Sequence, residues 1–131
     1  APLQDSKSII VTLIPFCPTP DAPASIEASD GEFTDRIRIS YTPVEEVESY
    51  WVYRNTTTDA ASAELIAVWE NTTLDDFSIE PAPTVFSCAG VTTYSRGPTY
   101  YYWVSAYNGC KWSTKTGSDS GYAGPPDKRA R

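Results

Sequence analysis

Thr99-Tyr100-Tyr101-Tyr102-Trp103-Val104-Ser105-Ala106-Tyr107-Asn108 follows one turn signal, Gly97-Pro98, and runs into another, Asn108-Gly109. The stretch is aromatic and β-branched with no helix-forming run, so it reads as one long strand. Side chains alternate along a strand, which puts Tyr100, Tyr102, Val104 and Ala106 on one face and Tyr101, Trp103, Ser105 and Tyr107 on the other. The first face suits a core. The second still carries three large aromatics, and any account of function has to explain them.

Outward from this strand the text is regular from Ala24 onward. Ala24 to Ser29 reads as a short strand, Asp30-Gly31 as a turn, and Arg36-Ile37-Arg38-Ile39-Ser40-Tyr41 alternates with Ile37, Ile39 and Tyr41 inward. Thr42-Pro43 ends it. Ser49-Tyr50-Trp51-Val52-Tyr53-Arg54, Glu64-Leu65-Ile66-Ala67-Val68-Trp69 and Leu74 to Ile79 follow as strands, and Lys111 to Ala123 supplies a last one. Glu80 to Ser95, with Pro81, Pro83, Cys88 and Gly90, reads as a long connection. Before all of these, Ser8-Ile9-Ile10-Val11-Thr12-Leu13-Ile14 is β-prone and apolar on both faces, and Pro15, Pro18, Pro20 and Pro23 break it from the rest. A strand apolar on both sides is normally buried on both sides, either on its own domain or on a neighbouring molecule.

With 131 residues the chain has the length of one domain, and eleven prolines, seven glycines and no long Leu/Ala/Glu/Lys run favour an all-β fold. The net charge of −7 argues against nucleic acid or an anionic membrane as partner. No apolar run is long enough to span a membrane. The chain holds no methionine, and Ala1-Pro2 suits a start after signal cleavage, so a secreted, extracellular or cell-surface location is expected. Cys17, Cys88 and Cys110 fit no zinc spacing. Cys88 and Cys110 flank the long strand and are the expected disulfide, with Cys17 left free, paired instead of one of them, or bonded to another chain. Asn55-Thr56-Thr57 and Asn71-Thr72-Thr73 are glycosylation sequons that also occur by chance in polar loops.

Taken together, Ala24 to Gly31, Arg36 to Pro43, Ser49 to Arg54, Thr99 to Asn108 and Ser118-Asp119-Ser120-Gly121-Tyr122 resemble the successive strands of a fibronectin type III domain, in the form common in bacterial and archaeal surface proteins. The resemblance covers residues 23–124. It implies an all-β, seven-stranded Greek-key β-sandwich of the fibronectin type III/immunoglobulin-like kind, here with an extra N-terminal β-strand, and makes Tyr100 the tyrosine-corner residue. The chain then divides into an N-terminal extension, 1–22, the sandwich, 23–124, and a basic tail, 125–131. Tyr41 stands where the family usually has a core tryptophan, the connection from Glu80 to Ser95 is long for the family, and its cysteines are unusual. The resemblance also implies that the strands of Tyr50 and Tyr100 are sheet neighbours, so Trp51, Tyr53, Tyr101, Trp103 and Tyr107 share an outer face, with Trp69 and Trp112 as candidates to join them.

Catalysis finds little material. Without histidine there is no Ser-His-Asp or Cys-His arrangement and no side chain that titrates near neutrality unperturbed. Asp75-Asp76 and Glu45-Glu46 with Glu48 read as solvated charges. Asp30, Glu32 and Asp35 carry oxygens of the calcium-binding type, but acidic Asp-Gly turns usually hold no metal, and no cofactor is expected. Two functions remain. One is a non-catalytic structural subunit that polymerises into a filament or surface appendage, for adhesion or a protective matrix. Its contacts would be Ile9, Ile10, Val11, Leu13 and Ile14, the aromatic face, and the basic tail of Lys128, Arg129 and Arg131 against an acidic body. The other is a polysaccharide- or protein-binding module of a larger secreted protein.

Overall fold

The computed structural model describes residues 17–81, 86–88, 90–93 and 95–124. Their strands are β1 (Ile26–Ala28), β2 (Ile37–Tyr41), β3 (Ser49–Asn55), β4 (Glu64–Trp69), β5 (Thr73–Asp76), β6 (Phe86–Cys88), β7 (Val91–Thr93), β8 (Tyr100–Tyr107) and β9 (Asp119–Gly121). One three-stranded sheet has the order β1-β2-β5, and a four-stranded sheet faces it with the order β4-β3-β8-β9. All their strand pairs are antiparallel. This is the expected seven-stranded β-sandwich. The remaining two strands pair as a hairpin, β6-β7, inside what reads in the sequence as a featureless connection. Ser87 and Thr92–Thr93 give that hairpin little apolar alternation to announce it. The Ile9–Ile14 segment and the basic tail lie outside the described residues.

The long strand β8 is central because it pairs with β3 over seven residues, from Ser49↔Tyr107 to Asn55↔Tyr101. Its inward residues Tyr100, Tyr102, Val104 and Ala106 meet Ile37, Ile39, Tyr41, Tyr50 and Val52 in the core. That core is unusually rich in tyrosine, and a buried phenol needs a hydrogen-bond partner. All four rings have one. Tyr41 Oη donates to the Asn71 carbonyl at 2.7 Å, Tyr102 Oη donates to Asp76 Oδ2 at 2.8 Å, and the Val44 and Glu80 amides donate to Tyr50 Oη and Tyr100 Oη, each at 2.9 Å. Glu80 opens the long connection, so Tyr100 clips that connection to the strand that follows it. Tyr41 and Tyr50 pack with centroids 4.9 Å apart.

One side of the sandwich is sewn shut. Gly31 N–H donates to Tyr122 O at 3.0 Å and Tyr122 N–H donates to Ser29 O at 3.1 Å, a parallel bridge joining the segment after β1 to the end of β9. The approach needs glycine at position 121, where a Cβ would stand 2.6 Å from Ser29 O.

Candidate interaction surface

The outer face of the four-stranded sheet carries the aromatics. Trp51 registers with Ser105 on β8 and Val68 on β4, and Tyr53 with Trp103 and Leu65, the β3–β4 ladder shifting by one residue between them. Past Tyr107 the chain turns at Asn108-Gly109, where Asn108 Oδ1 accepts from the amides of Cys110 and Lys111 and Gly109 has φ +94°. The turn returns Trp112 to an antiparallel bridge with Tyr107. Trp112 therefore stacks on Tyr107 with centroids 4.6 Å apart and stands edge-on to Trp51 at 5.2 Å, while Trp51 and Tyr107 lie 5.8 Å apart. Trp112 is exposed, Trp51 and Tyr107 are half-buried, and the indole N–H of Trp51 is shielded without an acceptor.

The expected aromatic face of Trp51, Tyr53, Tyr101, Trp103 and Tyr107 needs one correction. Trp103 is only 3% exposed. The segment after Trp112 lies against β8 through Ser113 and Thr116, whose amides donate to the carbonyls of Ala106 and Val104. From it Lys115 reaches across to sit 4.4 Å over the Tyr53 ring and donate to the Ala60 carbonyl at 3.1 Å. Tyr53 is the registered neighbour of Trp103, so the lysine sits over the ring beside the buried tryptophan. Tyr101, at the far end of the strand, is half-buried beside Asn55 and Ser120. Trp51, Tyr53, Tyr101 and Tyr107 are all half-buried, and the cluster that Trp51 and Tyr107 form with Trp112 has Trp112, named only as a candidate from sequence, as its most exposed member.

The disulfide is also corrected. Cys110 is bonded to Cys17, with Cα atoms 6.4 Å apart, and not to Cys88. Cys88 is the last residue of the β6–β7 hairpin's first strand, a separate element that the sequence did not reveal. Asn108 Nδ2 adds a 2.8 Å hydrogen bond to the Pro18 carbonyl. The root of the N-terminal extension is thus tied to the same turn that presents Trp112.

The charged groups elsewhere serve the fold. Asp76 is buried, which alone would raise its pKa. Hydrogen bonds from Ser78, Tyr102 and Arg54 outweigh burial and hold the carboxyl below its ordinary value. Arg38 forks onto Asp75 at 2.7 and 3.0 Å and lowers that carboxyl as well. Asp30 shifts upward through burial and the nearby Asp119 and Glu32. Of the candidate calcium oxygens, Glu32 Oε1 accepts the Asp30 amide and Asp35 pairs with Arg36 at 3.0 Å. Among the described residues no three acidic or thiol side chains gather as a metal site. Asn55 is held through its amide by Asp59 O and Ser62 Oγ, and Asn71 is exposed in the β4–β5 turn. Among the described residues no helix is long and apolar enough to cross a membrane.

No protein-family model matches the chain, and no curated protein sequence does. Solved structures do resemble it. One titled FN3tt is 13% identical, with a TM-score of 0.58 over 80% of this chain and 95% of its own. A Fn3-like protein from Clostridium thermocellum is 19% identical, with the same score over 77% of this chain and 93% of its own. A β-1,2-glucanase from Parabacteroides distasonis is 23% identical with a TM-score of 0.58, matched over 81% of this chain but 13% of the glucanase. The fold therefore occurs both in chains of about this size and as a minor part of a much larger one.

Proposed function

On the fibronectin type III-like fold that this chain carries, we propose a non-catalytic extracellular structural role, as a subunit that self-assembles into a filament or surface appendage through its N-terminal strand and its exposed aromatics. The observation that carries this reading is the staple at one end of the sheet. The Cys17–Cys110 bond and the Asn108–Pro18 hydrogen bond fix where the apolar extension leaves the domain, beside Trp51, Tyr107 and Trp112. An extension apolar on both faces and an aromatic cluster held at its root both gain by burial against another copy, about 25 cal/mol per Å² of apolar surface removed from water. A contact between two different surfaces of one chain propagates head to tail. A disulfide of this kind suits an oxidising, extracellular setting.

Sedimentation velocity of the full chain over a hundredfold concentration range tests this, with Val11→Asp as comparison. Large species that grow with concentration, and that Val11→Asp abolishes, are expected; a concentration-independent monomer refutes it.

A second reading has its own observation. Tyr107 and Trp112 form a stacked pair, and exposed aromatic faces suit sugar rings, so the cluster fits an accessory module that binds polysaccharide. Titrating soluble polysaccharides against tryptophan fluorescence separates the two. A saturable change lost in Trp112→Ser favours the module, and no change across the panel removes it.

A further inference from the structure

Among the described residues the sandwich leaves one long edge open. The β1 and β9 edges meet in the seam between Ser29–Gly31 and Tyr122. The β5 edge is guarded by Asp75 and Asp76, which are tied to Arg38, Arg36 and Arg54. β4 has neither protection, and its one irregularity is the single-residue shift against β3 between Leu65 and Ala67. It is bonded in its sheet to β3 alone, runs for six residues, Glu-Leu-Ile-Ala-Val-Trp, and contains no lysine or proline. Leu65, Val68 and Trp69 are 41%, 50% and 40% exposed along it. Natural sheets usually blunt an edge of this length and character, so leaving it bare marks it as a pairing surface.

We propose that β4 is the acceptor edge for strand addition, and that its occupant is the Ile9–Ile14 segment of a second copy of this chain, running antiparallel to it. The inference rests on the self-assembly reading above and says which edge the strand takes. Donor and acceptor match in length, six residues against six. Antiparallel pairing brings Lys7, two residues before Ile9, to the Glu70 end of β4. The position of Cys17 favours a second copy over the same one. Tyr50 registers with both Trp69 and Ala106, so the Trp69 end of β4 lies at the end of the sheet where Cys17 is stapled. A strand continuing straight into Cys17 would run parallel to β4 of its own molecule, whereas a neighbour offers the antiparallel ladder and its slightly better hydrogen bonds. Val68 and Leu65 register with Trp51 and Tyr53, so an added strand also continues the outer aromatic face.

The test places the photo-crosslinking residue p-benzoylphenylalanine at Val68, an exposed position, in the full chain. Equal amounts of ¹⁴N- and ¹⁵N-labelled copies are mixed before irradiation and digestion. The expected adducts join one isotope to the other and map to residues 8–14. In addition, Val68→Lys should raise the concentration needed for assembly at least tenfold, the loss expected when one apolar contact becomes a buried charge. Adducts within one copy overturn the proposal. Oligomers whose adducts map elsewhere, or whose assembly Val68→Lys leaves unchanged, overturn the β4 assignment and leave self-assembly standing. A chain that stays monomeric without adducts overturns both.

Discussion

Replacing Asp76 by asparagine should cost this domain about 3 kcal/mol at pH 7, the low end of the cost of stripping one partner from a buried ion pair. The low end applies because Arg54, which donates to Asp76 Oδ2 at 3.0 Å, retains some contact with water. Asp76 is buried and also accepts the fully buried Tyr102 hydroxyl at 2.8 Å, the Ser78 hydroxyl at 2.7 Å and the Ser78 amide at 3.0 Å. An asparagine keeps the shape and loses the charge that Arg54 faces. Tyr102→Phe removes one hydrogen bond to a charged group and should cost about 1.5–3 kcal/mol; with Asp76→Asn already in place it should cost less, since the two changes share one oxygen. The pH dependence has a definite sign. The folded carboxyl is held below its unfolded value, so its contribution is complete above that unfolded value, about 3.9, and is lost as pH falls through the folded one. Urea unfolding followed by tryptophan fluorescence reads this out. At a slope of roughly 1.5 kcal/mol per molar urea, 3 kcal/mol moves the midpoint by about 2 M at pH 7. The gap between the parent and Asp76→Asn should narrow below pH 3. A variant within 0.5 kcal/mol of the parent at pH 7, or a gap that stays constant with pH, would refute the reasoning.

Reducing the Cys17–Cys110 bond, which spans a sequence separation of 93, removes up to about 4.7 kcal/mol of loop-closure stabilisation, so calorimetry with and without reductant should show Tm falling on the order of 10 °C. Gly121→Ala should destabilise by about 1–3 kcal/mol in urea unfolding, because its Cβ would also stand 2.8 Å from Ala28 Cβ and 2.9 Å from Ile37 Cγ2 in the seam. Gly117→Ala, where the new methyl meets nothing within 4 Å, should stay within about 0.5 kcal/mol and serves as its control. In a glycosylating host, peptide mapping should find Asn71 more fully occupied than Asn55, since Asn71 is exposed while the Asn55 amide is tied to Asp59 and Ser62.

The sandwich was legible because its strands alternate cleanly. Ile37, Ile39 and Tyr41 fall inward with no ambiguity, and the inward residues of β8 are the ones the alternation names. The β6–β7 hairpin was not, because its residues have no such period and lie in a proline-rich stretch. Alternation also explains why Trp103 misled. Period two tells which face a side chain takes but not what lies over that face, and next to Trp103 the segment from Ser113 to Thr116 packs on β8 and sends Lys115 over Tyr53. The disulfide escaped because sequence distance favoured Cys88, whereas the fold returns Cys17 to the Asn108-Gly109 turn. Trp112 joined the cluster for the same reason, through a turn whose chemistry, Asn108-Gly109, is plain in the text although its consequence for Tyr107 is not.

The central claim is that the chain builds a polymer, and the most direct measurement is negative-stain electron microscopy of the intact protein at neutral pH, with light scattering on the same sample. Regular fibres, whose formation stops when Ile9–Ile14 is made polar, are the expected result. A scattering mass that stays at 14.4 kDa at every concentration would contradict it.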